Sequence, residues 1–227
     1  MYLKQIFKIL ELLDVKGESQ HIGYEFVSLK GNETMSSRKG NIIPAKLLMG
    51  EIIKKVKEKF PQTEIADEIG LGALKFYMLK YSAQRKIEFD MEEAIRLDGA
   101  TGPYVQYAYA RVCSILEKVK HSSKRQSLEV SEIDLKKLVH KKEIDLIREL
   151  NKFIEIIEDI SENYEIHKLP YYAIALADKF HSFYSELKVL DEENLPLTKA
   201  RLELVKSVRI VLREALTLMG ISAPERM

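Results

Sequence analysis

The sequence predicts a mainly α-helical protein in which a small αβ segment precedes an all-helical bundle. Apolar residues recur at helical spacing along most of the chain, and the two short extended patterns both lie before residue 95. Gly and Pro are scarce, with 10 and 6 in 227 residues, which is typical of a compact helical protein. We therefore assign residues 1–95 to the αβ segment and residues 96–227 to the bundle.

The αβ segment alternates between helical and extended patterns. Turn residues separate these patterns, and Pro44 and Pro61 fit the start and the end of one helix. The expected elements are an opening helix that stops near Gly17, a strand within residues 21–30, helices that begin at Pro44 and after Thr63, and a second extended stretch at residues 86–90.

The bundle is expected to contain long helices, the first of which has two chemically different faces. One face is a stripe of core residues at spacings of three and four, namely Val105, Tyr109, Val112, Leu116 and Val119. The other carries Tyr104, Tyr107, Arg111, Ser114 and Lys118. The remaining expected elements are a linker at residues 121–127 and helices from Ser131 or Asp134 to Glu162, from Pro170 to Val189 and from Leu197 to Met219.

Composition excludes several classes of protein. The single cysteine, Cys113, cannot form an intrachain disulfide or supply a cysteine metal cluster. No apolar run approaches the roughly 20 residues of a membrane helix, and charged residues interrupt the apolar start, so it is no signal peptide. We expect a cytoplasmic protein that is monomeric and has no membrane partner.

The net charge of +1 conceals a segregation along the chain. Residues 36–59 hold seven Lys and Arg against two Glu, and residues 118–142 hold eight against three acidic residues. Residues 143–193 hold thirteen acidic residues against five basic ones. A polyanion would be attracted to some faces and repelled from others, although solvated helix faces are an ordinary explanation for any one charge run.

The loop after the first strand suits phosphate. Two hydroxyls, two cations and a glycine occur within Met35-Ser36-Ser37-Arg38-Lys39-Gly40. The loop lacks the spacing of a P-loop, and an ordinary basic turn would have a similar composition. The earlier His21-Ile22-Gly23-Tyr24 resembles a nucleotidyl-transfer signature, but it lies in an extended segment rather than at a helix start, so we interpret His21 as structural.

The polar face of the long helix suits single-stranded RNA. Tyr104 and Tyr107, with Gln106 beside them, could stack on unpaired bases while Arg111 and Lys118 meet phosphates. Packing of both tyrosines against a neighbouring helix is an equal alternative. The last helix carries Arg209 and Arg213 beside an apolar stripe, an arrangement that usually means core on one face and water on the other.

Taken together, these segments resemble arginyl-tRNA synthetase from about His21 to the last residue. MSSRKG looks like that family's KMSKS loop, with Thr34 to Arg38 at the five signature positions and Ser37 in place of the second lysine. Three further segments match in order, namely DGATGPYVQYAYARVCSIL, LADKFHSFYSELKVL and the ending LMGISAPERM.

The resemblance implies ATP-dependent arginylation of tRNA, with ATP and Mg²⁺ in the full-length enzyme and none bound to this portion. Ser36, Ser37, Arg38 and Lys39 would act in catalysis, and together with Met35 and Gly40 they would cover the ATP phosphates. The implied fold is the end of a Rossmann-type catalytic domain followed by an anticodon-binding bundle. The implied tRNA contacts are Tyr104, Gln106, Tyr107, Arg111, Tyr184, Lys188, Arg209, Arg213 and Met227, where Lys188 replaces an aromatic residue of some relatives.

We therefore expect a C-terminal portion of an arginine–tRNA ligase, inactive alone, whose partners are arginine tRNA and the N-terminal and Rossmann domains of the enzyme. One alternative is a free-standing tRNA-binding module derived from the synthetase, without catalysis. An RNA-independent helical scaffold would require all four matches to be fortuitous.

Overall fold

The computed structural model describes residues 2–17, 19–31, 44–120, 133–191 and 193–227, and it is mainly α-helical, as the sequence predicts. In chain order the elements are α1 (Tyr2–Leu12), β1 (Val27–Leu29), α2 (Ala45–Lys59), α3 (Ala66–Leu79), β2 (Ile87–Phe89), α4 (Met91–Ala94), α5 (Gly102–Lys120), a 3-10 turn (Leu135–Lys137), α6 (Lys141–Asn163), α7 (Lys168–Glu186) and α8 (Leu195–Leu218).

The small sheet has two parallel strands, β1 and β2, in which Val27 is opposite Ile87. The first strand is shorter than the expected range of residues 21–30, because the ladder pairs only three residues. Helix α3 covers the sheet. Tyr77 donates its hydroxyl hydrogen to the carbonyl oxygen of Glu88 at 2.9 Å, and its ring packs edge-on against Phe89. The expected αβ segment is therefore present.

Helix α6 begins later than the sequence suggests, and His140 is the reason. The Nδ1 of His140 accepts from the backbone N–H of Lys142 at 3.2 Å, while the Glu143 carboxylate accepts from the backbone N–H of His140 at 2.9 Å. This reciprocal arrangement satisfies two backbone donors at the start of the helix. Of the expected helix, residues 135–137 form a separate 3-10 turn instead.

A well-defined C-terminal tail follows α8. Gly220 adopts a left-handed φ of 66°, and the N–H of Ile221 then donates to the carbonyl oxygen of Leu216 at 2.9 Å, which closes the helix. Ile221 is buried in the bundle core, and Lys75 of α3 donates to the carbonyl oxygen of Gly220. The tail is thus fixed against α3.

Two hydrophobic cores lie on either side of α3. The first is formed by residues of α2, α3, β2 and α4, ending at Ile95, and the second by residues of α5 to α8 and the tail. Phe76 of α3 is the exception, because it belongs to the second core although it precedes residue 96. Helix α3 therefore contributes to both cores.

Helices α3 and α5 cross at glycines. A Cβ atom at Gly102 would lie 2.6 Å from the carbonyl oxygen of Gly72, and one at Gly72 would lie 2.8 Å from Oε1 of Gln106. Gln106 is fully buried at this crossing, where its Nε2 donates to the carbonyl oxygens of Ser222 (3.0 Å) and Glu68 (3.3 Å). One amide therefore joins α5, α3 and the C-terminal tail.

The crossing predicts different effects for two glycine-to-alanine substitutions. Gly102→Ala places a methyl group against backbone that cannot move aside easily, so it should lower the free energy of unfolding by about 1–3 kcal/mol or more. Gly50→Ala is the matched control, since Gly50 lies in α2 with open space around it and alanine favours helix by up to about 1 kcal/mol. Urea unfolding of both variants measures this; equal stability of the two would contradict the close crossing.

Candidate functional site

The candidate site is a surface formed by α5 and α7, which we call the aromatic face. It consists of Tyr104, Tyr107 and Arg111 of α5 with His181 and Tyr184 of α7. The tyrosines of α5 are half-buried rather than exposed, because they pack against α7. Packing against a neighbouring helix and exposure to a ligand were the two interpretations of these tyrosines from the sequence. Both apply in part, since each ring contacts α7 and also retains a surface that faces solvent.

His181 lies between Tyr104 and Tyr107 of α5. Its ring centroid is 5.5 Å from that of Tyr104 and 6.1 Å from that of Tyr107, with which it is stacked at an interplanar angle of 23°. The Tyr104 hydroxyl donates a hydrogen bond to the Asp178 carboxylate. Burial raises the pKa of Tyr104 well above its usual value, and Asp178 adds to the shift, so the phenol stays protonated. Helix α7 thereby fixes both rings.

Tyr184 continues the face along α7. Its ring stacks on that of Phe180, with centroids 6.0 Å apart, and Phe180 is fully buried in the bundle core. The guanidinium carbon of Arg111 lies 5.1 Å from the Tyr184 centroid, a distance at which a cation is attracted to the ring. Arg111 itself is exposed, so the face pairs an anchored aromatic ring with an accessible positive charge.

Lys188 is exposed just after α7, and a buried ion pair supports it. The carbonyl oxygen of Lys188 accepts from Nη1 of Arg201 at 2.6 Å, and Nε of Arg201 donates to Glu143 at 2.7 Å. Both members of this pair are buried. The ion pair between α6 and α8 therefore holds the backbone that carries Lys188.

An open groove of about 530 Å³ adjoins this end of the aromatic face. Lys118 and Tyr184 line it from α5 and α7, and Lys188 and Leu190 line it from the segment that follows α7. Cations at both sides of an aromatic edge suit a ligand that presents flat rings and phosphates.

Gln106 corrects one sequence-based expectation. Its side chain is fully buried between α3 and the C-terminal tail, so it cannot contact RNA while this packing holds. Its Oε1 has no hydrogen-bond partner within the described ranges. Gln106 therefore organises the fold at the side of α5 that packs on α3.

Arg209 and Arg213 both belong to α8. Burial raises the pKa of Tyr109 to about 12, and the charge of Arg209 acts against this shift while that of Glu225 adds to it. Arg213 is exposed and lies 3.4 Å from the carboxylate of Glu214. The two arginines therefore lie on the last helix, whereas the aromatic face is formed by α5 and α7.

The C-terminal tail approaches α5 beyond the aromatic face. Arg226 lines a groove of about 470 Å³ together with Ser114 and Lys118, and Met227 ends the tail with 39% of its surface exposed. Tyr104, Tyr107, Arg111, Tyr184 and Lys188 are thus brought together, with the tail near the last turns of the same helix.

The phosphate-loop candidates lie outside the described residues, namely Met35, Ser36, Ser37, Arg38, Lys39 and Gly40. The segments around them are described. Lys30 pairs with Asp90 at 2.6 Å, and Lys55 of α2 pairs with Glu92. Asp90 also caps α4 by accepting from two backbone N–H groups. The same short helix therefore contacts the chain before and after the loop.

The sequence did not point to Asp178 or His181, although Asp178 accepts a hydrogen bond from Tyr104 and His181 contacts the rings of Tyr104 and Tyr107. The available signal was their spacing, because Asp178, His181 and Tyr184 follow one another at intervals of three and so share one side of a helix. The structure adds the partner helix that this side meets.

The described ranges contain no group of three or more His, Cys, Asp or Glu placed to hold a metal ion. None of their helices is long and apolar enough to cross a bilayer.

The buried ion pair beneath Lys188 yields a stability prediction. Arg201→Met leaves the Glu143 carboxylate buried without its cation, which should cost about 3–5 kcal/mol in the free energy of unfolding. Arg148→Met is the control, because that side chain is 75% exposed and its removal should change stability by less than about 0.5 kcal/mol. Equal unfolding midpoints in urea for the two variants would contradict a supporting role for the pair.

Comparison with a family model places most of the bundle in a known class. The DALR anticodon binding domain matches residues 105–227, which is more than half of the chain.

Curated relatives extend the similarity to the whole chain. The chain is 35% identical over 237 residues to the arginine–tRNA ligase of Clostridium botulinum, and the match covers all of this chain and 41% of the relative. It is 36% identical over 239 residues to the arginine–tRNA ligase of Pyrococcus abyssi, covering all of this chain and 37% of that protein. The chain thus spans about two fifths of the length of the curated relatives it matches.

Solved structures agree. The chain superposes on the arginyl-tRNA synthetase of Thermus thermophilus with a TM-score of 0.77 at 31% identity, covering 91% of this chain and 35% of that one. The Plasmodium falciparum enzyme gives a TM-score of 0.74 at 24% identity, covering 99% and 39%, which shows a shared fold. The resemblance drawn from the sequence is confirmed.

Proposed function

This chain belongs to the DALR anticodon-binding-domain family, and we propose that its bundle binds the anticodon arm of arginine tRNA through the aromatic face. One observation carries the proposal. Three tyrosines, a histidine and an exposed arginine from two helices form a single surface, with Lys118 and Lys188 at its end. The identity of the RNA comes from the similarity to arginine–tRNA ligases.

The chemistry of the face suits an unpaired RNA loop. Bases that are splayed out of a loop stack on aromatic rings, while cations displace the counterions of phosphates. Tyr107 is stacked on His181, and Tyr184 is stacked on Phe180 with Arg111 over its ring, so these side chains are ordered before a base binds and lose less entropy when it does. Arg111 supplies an accessible charge between them.

The outer surface of α6 favours one orientation of the RNA. Glu155, Glu158 and Glu162 are exposed there, within the strongly acidic stretch of residues 143–193. Phosphates would be repelled from this surface and attracted to the side that carries Lys118 and Lys188. Charge therefore supports docking at the aromatic face.

The face makes a prediction that separates stacking from charge. Tyr107→Ala or Tyr184→Ala should weaken binding of arginine tRNA about ten-fold, because stacking of one base contributes roughly 1–3 kcal/mol, and should leave the salt dependence nearly unchanged. Arg111→Ala should lower the slope of log K against log salt by about one. Binding is measured by fluorescence anisotropy at several salt concentrations, below the melting temperature of every variant.

Tyr24→Ala is the control for this titration, since Tyr24 is 86% exposed in the αβ segment away from the bundle core. The same tRNA with a changed anticodon serves as the competing ligand. If the Tyr107 and Tyr184 variants bind as tightly as Tyr24→Ala, the assignment of this face to RNA is wrong.

We also propose that Met35 to Gly40 contact the phosphates of ATP in a longer protein. Serine hydroxyls, an arginine fork and a lysine charge fit phosphate oxygens. The loop has no carboxylate for Mg²⁺, so the ion would accompany ATP as its counterion. Lys30, before the loop, pairs with Asp90 at the start of α4, and Lys55, in the helix after the loop, pairs with Glu92 of α4.

Whether this chain alone can activate arginine is tested directly by pyrophosphate exchange. Because the chain spans about two fifths of its relatives, we expect no arginine-dependent exchange of pyrophosphate into ATP by this chain, with or without tRNA. The assay follows labelled pyrophosphate. Exchange well above the background without arginine would show that this chain carries the whole active site.

A further inference from the structure

His181 occupies the centre of the aromatic face and is the least exposed part of its polar chemistry, since its Nε2 is buried. Its ring is within 5.5 Å of the Tyr104 and Phe180 rings and 6.1 Å of the Tyr107 ring, measured between centroids. Its Nε2 is buried and has no hydrogen-bond partner among the residues that the structure describes. A buried nitrogen without a partner is unfavourable, so its presence at this position needs an explanation.

We propose that His181 is the positioning residue of the aromatic face, where its neutral imidazole sets the separation and orientation of the Tyr104 and Tyr107 rings that receive RNA bases. The inference rests on the proposed RNA binding and adds His181 to the residues on which that binding depends. His181 acts through the tyrosines, since its ring contacts both of theirs and its Nε2 is buried.

The geometry favours a flat ring at this position. Tyr104 and Tyr107 project from successive turns of α5, and an imidazole from α7 contacts both rings, stacked on Tyr107 at an interplanar angle of 23° and tilted by 40° to Tyr104. A smaller side chain would leave the place of the imidazole empty, and the tyrosine rings would be free to collapse toward α7. Loss of the ring should therefore reduce base stacking without removing any direct contact with RNA.

The surroundings of His181 also keep it neutral. Burial lowers the pKa of His181 below its ordinary value, Arg111 of α5 acts in the same direction, and Asp178 of its own helix opposes them. Of the other cations near this part of α7, Lys179 is exposed and two more have partners of their own. Lys142 of α6 contacts Ser182 and Glu186, and Arg201 of α8 contacts Glu143 and the carbonyl of Lys188.

Acid should therefore loosen the face. The unfolded chain takes up a proton at His181 near its ordinary pKa of about 6.5, whereas the folded chain resists until a lower pH. The contribution of His181 to stability is thus fully present above about pH 6.5 and is lost as pH falls through the folded pKa.

The test combines three variants with one coupling measurement. His181→Ala should weaken binding of arginine tRNA about ten-fold, whereas His181→Phe, which keeps a flat ring, should bind as the unmodified chain does. In a chain that already carries Tyr104→Ala and Tyr107→Ala, His181→Ala should have no further effect, because its action passes through those rings. Lys179→Ala, an exposed neighbour on α7, is the control.

If His181 only stabilised the fold, His181→Ala would lower the affinity for tRNA even in the chain that carries Tyr104→Ala and Tyr107→Ala. That result, or full affinity of His181→Ala, would overturn the proposal.

If removing both tyrosines leaves the affinity for tRNA unchanged, the proposed RNA binding fails instead, and the two failures are distinguishable. As a second readout, the melting temperature of the unmodified chain should fall relative to His181→Phe between about pH 7 and pH 5; parallel curves would also overturn the proposal.

Discussion

The crossing of α3 and α5 at Gly72 and Gly102 is the contact on which the rest of the structure depends. Because neither helix has a side chain at the crossing point, their backbones meet, and the amide of Gln106 fills the remaining space. The same amide donates to the carbonyl oxygens of Glu68 and Ser222. One side chain of the bundle therefore joins α5 to α3 of the αβ segment and to the C-terminal tail. A buried polar group with two partners is costly to disturb, which makes this arrangement specific.

Because of this crossing, the two sides of α5 have different roles. The side with the glycines and the amide is packed against α3 and the tail, and so supplies stability. The side with Tyr107 and Arg111 is left to meet α7, where His181 and Tyr184 complete a surface that is anchored beneath and open above. Rings that are held before a ligand arrives lose less freedom on binding, so the rigid crossing and the proposed recognition of RNA are two consequences of one helix placement.

Much of the fold and part of the site followed from the sequence. Helical spacing identified the buried stripe of α5 and the opposite face with Tyr107 and Arg111, since both depend only on local periodicity. The burial of Gln106 could not be foreseen, because it depends on Glu68 and Ser222, which lie 38 and 116 residues away in sequence. Tertiary partners decide such a case, and periodicity carries no record of them. The late start of α6 was missed for a local reason, since histidine seldom serves as a helix cap.

Hydroxyl-radical footprinting of this chain with and without arginine tRNA tests whether the RNA docks on the aromatic face, because it reports which side chains the RNA covers. Docking there predicts that Tyr107, Tyr184 and Met227 lose reactivity when tRNA binds. Tyr24 in the αβ segment and Ile154 on the acidic surface of α6, which are both exposed in the free chain, should keep their reactivity. Protection centred on Ile154 or Tyr24, with Tyr107 and Tyr184 as reactive as in the free chain, would contradict this docking.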